Sequence, residues 1–271
     1  MAIYSLDGVD LDDARMRWVL AEGTTLSTRG EPWRISVDIP GRFGSLPIAP
    51  TVLKSATVAL KFQVFSWDDG RNGNRCKGGL ARLEQNYQEL LRRLYAFGRL
   101  QTLAYTPEGR PVREALVRPS SSVEPVLDPE AEQITFTITY EIVDGLWRGK
   151  DIIVDHLSSM AKFNGCVMPI PDGWLMLEPT ASTCTVRDNV SGTSFTFTGT
   201  LTGGERLLVD VAGYRAWKNA SQEWQVQPNA RSADGEISMS PGGFRATPDA
   251  DGRISMTLTG CTGRFRGRMA Y

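Results

Sequence analysis

Histidine occurs once in this 271-residue chain, at position 156, so any imidazole acid–base chemistry must run through it. Its neighbours Asp155, Ser158 and Ser159 are the residue types of a serine triad. A triad is a spatial arrangement, however, and no G-x-S-x-G turn is present to display a nucleophile. His156 is therefore read as a surface or linker residue. Paired carboxylates of the kind glycosidases use occur at Asp12 with Asp13, Asp68 with Asp69, and Glu130 with Glu132. All three pairs lie in polar, loop-like stretches, where a solvated acid is the expectation. Asp7, Asp10 and Asp12 begin like a calcium loop but lack its remaining ligands. The glycine-rich 70–79 stretch has no GK[ST], so phosphate binding is not supported. Cys76, Cys166, Cys184 and Cys261 show no CxxC spacing, and one His does not complete a common zinc set. No catalytic, cofactor or metal residue is assigned. Trp174, Trp217 and Trp224 raise a carbohydrate question, because an exposed indole can stack on a sugar ring. Trp217 and Trp224 are the sugar-stacking candidates. The expected reading is that they fill a core or a subunit contact.

The totals are those of a globular protein: 41% hydrophobic, 23% charged, net charge −1. Thirty basic residues against 31 acidic ones, scattered along the chain, do not make the basic stripe of a nucleic-acid binder. Lys appears only at 54, 61, 77, 150, 162 and 218, leaving Arg as the dominant base. That skew fits a high-GC host. The opening Met1-Ala2-Ile3-Tyr4 runs into Asp7, Asp10, Asp12 and Asp13 without a basic and apolar leader. The expectation is synthesis in a reducing cytoplasm with buried free thiols, although one disulfide is compatible with four cysteines. No apolar run approaches the length of a membrane span.

The elements that would position these residues are mostly strands. Trp33, Ile35, Val37 and Ile39 alternate with polar residues, as do Val58, Leu60, Phe62 and Val64. One helix is predicted over 79–97, from Leu80, Leu83, Tyr87, Leu90, Leu91 and Leu94 at spacings of three and four. It is expected to pack on its own sheet, with Gly98 as its stop. Strands at 100–105 and 111–118 flank the turn Pro107-Glu108-Gly109-Arg110 and form a hairpin. A long alternating strand runs over 133–143, with Thr135, Thr137 and Thr139 on a polar face able to meet another subunit. Past a boundary near Arg148-Gly149-Lys150 there is no helical period. Strands are predicted at 183–187, 194–199, 207–211, 214–217, 235–239, 254–258 and 264–271, the spacing of a β-sandwich.

The order of these segments resembles the distal tail protein family of long, non-contractile bacteriophage tails. The opening Tyr4-Ser5-Leu6-Asp7-Gly8-Val9-Asp10-Leu11 is similar to the family's start, and Ile39-Pro40-Gly41-Arg42-Phe43-Gly44 resembles its Pro-Gly-x-x-Gly loop. The helix, hairpin and strand then end in Asp144-Gly145-Leu146-Trp147, where the family's usual Pro is missing. Asp188-Asn189-Val190-Ser191-Gly192 and Leu201-Thr202-Gly203-Gly204-Glu205 look like turns of its galectin-like sandwich. The resemblance implies a mainly β protein in two domains. Residues 1–149 would be a β-sandwich-like, ring-forming domain with one amphipathic helix and a hairpin. Residues 150–271 would be a galectin-like β-sandwich. It further implies a structural virion protein at the tail tip, assembled in the host cytoplasm as a homo-hexameric ring. That ring would join the tail tube, and the tape measure protein, to the baseplate hub and fibre proteins, with DNA only passing through the lumen. Neither an enzymatic activity nor a cofactor is implied. Pro40, Gly41, Arg42, Phe43, Gly44, Thr135, Thr137 and Thr139 are the oligomer-interface candidates. The alternatives are a carbohydrate-binding adhesin, for which host cell-wall glycans would be the ligand, and a tail-associated hydrolase.

Overall fold

The computed structural model describes residues 4–25, 28–31, 35–38, 45–48, 53–69, 75–96, 98–157, 160–164, 166–241 and 243–271; at 35–38, 45–48, 69, 75 and 160–164 it describes the backbone alone. The chain is mainly β and divides into two compact units, Met1–Trp147 and Arg148–Tyr271.

The first unit contains β1 (Tyr4–Leu6), β2 (Val9–Asp10), β3 (Trp18–Leu20), β4 (Ile35–Asp38), β5 (Ser45–Ile48), β6 (Ala56–Phe65), β7 (Trp67–Asp69), β8 (Arg75–Lys77), α1 (Gly79–Leu94), β9 (Gln101–Tyr105), β10 (Arg113–Pro119), β11 (Val126–Asp128) and β12 (Gln133–Ile142). Its centre is the antiparallel pair β6–β12, in register over ten residues from Gln133 opposite Phe65 to Ile142 opposite Ala56. Strict alternation sends Ala56, Val58, Leu60, Phe62 and Val64 of β6, and Ile134, Phe136, Ile138, Tyr140 and Ile142 of β12, to one buried face. Each large side chain there contributes about 1.5–3 kcal/mol by leaving water. The 101–105 and 113–119 strands form the expected hairpin, and β12 takes β10 and β11 along its other edge.

The helix covers the buried face. Leu83, Asn86, Tyr87, Leu90 and Leu94 are its buried residues. Tyr87 meets Phe136 edge-on with ring centroids 5.4 Å apart. The Tyr140 hydroxyl donates to the Leu94 carbonyl at 2.8 Å, satisfying one of the open carbonyls at the helix end. Asn86 donates to the carbonyls of Phe65 and Trp67, so it staples the helix to the break between β6 and β7. The expected stripe needs two corrections. Leu80 is 50% exposed and Leu91 is half-buried, because the buried arc is centred on the Leu83–Tyr87–Leu90–Leu94 line.

The second unit contains β13 (Arg148–Leu157), β14 (Met160–Asn164), β15 (Trp174–Pro179), β16 (Thr183–Asp188), β17 (Ser194–Thr198), β18 (Arg206–Asp210), β19 (Arg215–Asn219), β20 (Arg231–Ser232), β21 (Ile237–Met239), β22 (Arg253–Thr259) and β23 (Cys261–Ala270). They build two antiparallel sheets, in the orders β13-β23-β15-β18-β19-β20 and β14-β22-β16-β17-β21. Leu175, Leu177, Leu207, Val209 and Phe265 from the first sheet, with Val186, Phe195, Phe197, Ile254, Met256 and Leu258 from the second, form the sandwich core. The strands at 148–157 and 174–179 were not predicted from the sequence.

Candidate assembly surface

The opposite face of the β6–β12 pair carries a different chemistry. Thr135 sits opposite Gln63, Thr137 opposite Lys61 and Thr139 opposite Ala59. These side chains are half-buried to exposed, so the sheet has one apolar face under the helix and one polar face that no helix covers among the described residues. The segment after β3 runs along β6 through Thr25 N–H to the Ala59 carbonyl and the Thr28 hydroxyl to the Thr57 carbonyl. Beside this face lies a cleft of about 510 Å³ lined by Lys61, Ser122, Glu124, Val126, Thr135, Phe136 and Thr137.

The strand flanking the cleft is β11. Val126 pairs with Thr135 and Asp128 with Gln133, and all three β11 residues are exposed, Val126 at 69% and Leu127 at 53%. Among the described residues its outer edge pairs with no other strand. An exposed edge with β-branched and apolar side chains is a template for pairing with another chain. Thr135, Thr137 and Thr139 are thus brought together with an open strand edge that the sequence did not single out. Pro40, Gly41, Arg42, Phe43 and Gly44 lie outside the described residues.

The remaining candidates are dispersed or already engaged. Asp13 is bound by Arg17 at 3.0 Å, and Arg17 also reaches Glu89 on the helix. Burial alone would raise the Asp13 carboxyl, but hydrogen bonds and charge from Arg17 outweigh it and hold Asp13 below the usual carboxylate range. Asp12 accepts the Leu20 N–H, Asp7 accepts Arg99 and the Thr102 N–H, Asp68 pairs with Arg82, and Glu132 accepts the Ser66 hydroxyl. For Asp12, Asp13, Asp68 and Glu132 the expectation of solvated acids is therefore corrected, because these carboxylates are held by protein partners, whereas Glu130 is exposed. Among the described residues no three His, Cys, Asp or Glu side chains group as metal ligands.

His156 lies on β13 rather than in a linker and is exposed. It lines a cleft of about 570 Å³ with Asp155, Leu157, Glu178, Gln222, Thr262, Gly263 and Arg264. Asp155 is held there by Arg264 at 3.0 Å, so its carboxylate serves an ion pair. Ser158 and Ser159 lie outside the described residues. Trp217 and Trp224 are half-buried, which corrects only the core half of the expectation that they fill a core or a subunit contact. Trp217 is opposite Leu208 on the outward side of its sheet, stacked on Trp174 at 6.2 Å, with the Arg215 guanidinium 5.3 Å from its ring. Arg264 lies 5.5 Å from the Trp224 ring. Both indoles thus already have protein partners.

No family model matches the sequence, and no curated protein matches it. Solved structures do match by shape. The Dit protein (gp 19.1) of phage SPP1, described as a paradigm of the hub adsorption apparatus in phages infecting Gram-positive bacteria, aligns with a TM-score of 0.59 at 13% identity, covering 99% of this chain and 98% of that one. Chains of the activated phage p2 baseplate align at 12% identity with TM-scores of 0.39, with calcium, and 0.40, with strontium, covering 96% and 98% of this chain and 92% and 97% of theirs.

Proposed function

We propose that this chain is a structural protein of a phage tail, closing into a homo-hexameric ring at the distal end of a long, non-contractile tail. The observation that carries the reading is the end-to-end likeness in fold to the SPP1 Dit protein, over both units. In this reading residues 1–149 form the ring and residues 150–271 are a galectin-like sandwich. The tail tube and tape measure proteins lie on one side, the baseplate hub and fibre proteins on the other, and DNA passes through the lumen. The Thr135–Thr137–Thr139 face and the open edge of β11 supply the subunit contact. Head-to-tail pairing of an edge with a different surface of the next copy gives a closed ring when the rotation closes. The role is positional and non-enzymatic.

The experiment is disruption of that edge. Val126→Lys with Leu127→Lys places two like charges on an exposed strand, at little cost to the monomer fold. Rings should be lost while the circular dichroism and unfolding midpoint stay within about 2 °C of the parent protein, as expected for surface changes. Unchanged rings would remove β11 from the interface.

A further inference from the structure

Two of the four cysteines meet at the corner where the sandwich of the second unit passes a strand from one sheet to the other. On one side of the corner β22 runs with Thr259 opposite Thr185 of β16. On the other, β23 opens at Cys261, opposite Pro179 of β15. Gly260 makes the turn between them with φ +70°, and its carbonyl accepts the Thr180 N–H at 2.8 Å. A Cβ at Gly260 would lie 2.3 Å from the Thr183 carbonyl oxygen, so the 181–184 backbone is pressed against the corner. Cys184, next to Thr185, is thereby placed beside Cys261, whose thiol donates to the Thr259 carbonyl at 3.8 Å. Cys184 is 0% and Cys261 6% exposed, and both are free. The other two cysteines differ. Cys76 is exposed in the first unit, and the Cys166 thiol donates to the Met168 carbonyl at 3.0 Å.

We propose that Cys184 and Cys261 are a disulfide site: a thiol pair that a small-molecule disulfide such as oxidised glutathione closes into a cross-link between the two sheets. The neighbouring Cys261 thiol and burial together push the Cys184 thiol up. Cys261, 6% exposed against 0% for Cys184, is the thiol that oxidised glutathione reaches, and it attacks as its thiolate. Its thiolate displaces one glutathione thiolate and forms a mixed disulfide. Cys184 then gives up its proton, attacks the Cys261 sulfur and expels the second glutathione thiolate. The protein loses two protons and two electrons, and one oxidised glutathione becomes two reduced ones. The cross-link closes a loop spanning β16 to β23, long enough to restrict the unfolded chain substantially. In a reducing compartment the pair stays open; outside it the sandwich is locked.

The test uses the full chain carrying Cys76→Ser, which removes the exposed thiol. Protein is incubated with excess oxidised glutathione up to temperatures just below unfolding, then analysed by intact mass, non-reduced peptide mapping and calorimetry. The expected product is lighter by two hydrogens, carries no glutathione and links Cys184 to Cys261. Its second-unit midpoint rises by about 10 °C and falls back with dithiothreitol. Adding Cys166→Ser should leave the product unchanged, whereas Cys184→Ser or Cys261→Ser should abolish it. An unchanged mass after this treatment, or a link through Cys166, overturns the proposal. The map on the chain with all three remaining thiols decides the matter even where a serine variant folds poorly.

Discussion

Leu90→Ala tests the packing of the first unit. Leu90 is 0% exposed on the buried line of α1, facing the β6–β12 pair. Truncation removes three methyl or methylene equivalents from the core, about 2.4 kcal/mol at 0.8 kcal/mol each. The space left between helix and sheet adds to this, because Tyr87, Phe136 and Phe62 are held by ring contacts and relax only partly. A loss of about 3–4 kcal/mol follows. For a unit of this size that lowers its calorimetric midpoint by about 6–15 °C. Leu80→Ala is the internal control: the same residue type on the same helix, 50% exposed, with an expected change under about 0.5 kcal/mol. Scanning calorimetry of the full chain reads both. Equal losses from the two variants, or no loss from Leu90→Ala, would refute the assignment of the buried face and turn the helix into a partner surface.

Three further outcomes follow from individual sites. Gly145 has φ +65°, and a Cβ there would lie 2.2 Å from the Lys54 carbonyl oxygen, so Gly145→Ala should cost about 3 kcal/mol by urea unfolding, against about 1 kcal/mol for Gly109→Ala, which shares the φ but has open space. Lys218 points inward, 9% exposed, over the Phe197 ring and paired with Glu236, so Glu236→Ala should destabilise the second unit by about 2–3 kcal/mol, while Lys218→Met with Glu236→Leu should recover most of it by the same measurement. The Asp13 and Glu89 carboxyls, for which burial is outweighed by Arg17, with Arg93 also acting on Glu89, are held below their usual values; the stability they add is complete above about pH 5 and is lost as pH falls through the lowered values, so the first unit's midpoint should drop between pH 5 and 3, with a shallower slope in Asp13→Asn.

The parts of the fold legible in the sequence are those where one face alone is buried. β12 alternates Ile134, Phe136, Ile138, Tyr140, Ile142 with Thr or Glu, and β6 does the same, so period alone places both strands and their faces. β15 escapes detection because Leu175, Met176 and Leu177 are all buried, which erases alternation. β13 escapes because its pairing with β23 shifts register between Arg148 and Asp151 and again between Val154 and Leu157, and the side-chain period breaks with it. Leu80 fits the helical spacing yet faces out, whereas Asn86, a polar residue, is fully buried because two backbone carbonyls at the β6–β7 break need its amide. At the candidate surface the Thr face is readable from alternation. The open edge of β11 is not, since an edge is defined by which strands lie beside it. The meeting of Cys184 with Cys261 is likewise a product of the sheet-to-sheet corner.

The most direct test of the ring proposal is electron microscopy of the purified full chain at micromolar concentration, paired with its mass in solution. Closed rings with a central opening and a discrete mass of six 29.9 kDa subunits are the predicted result. Open filaments, or monomers at every concentration, would contradict it.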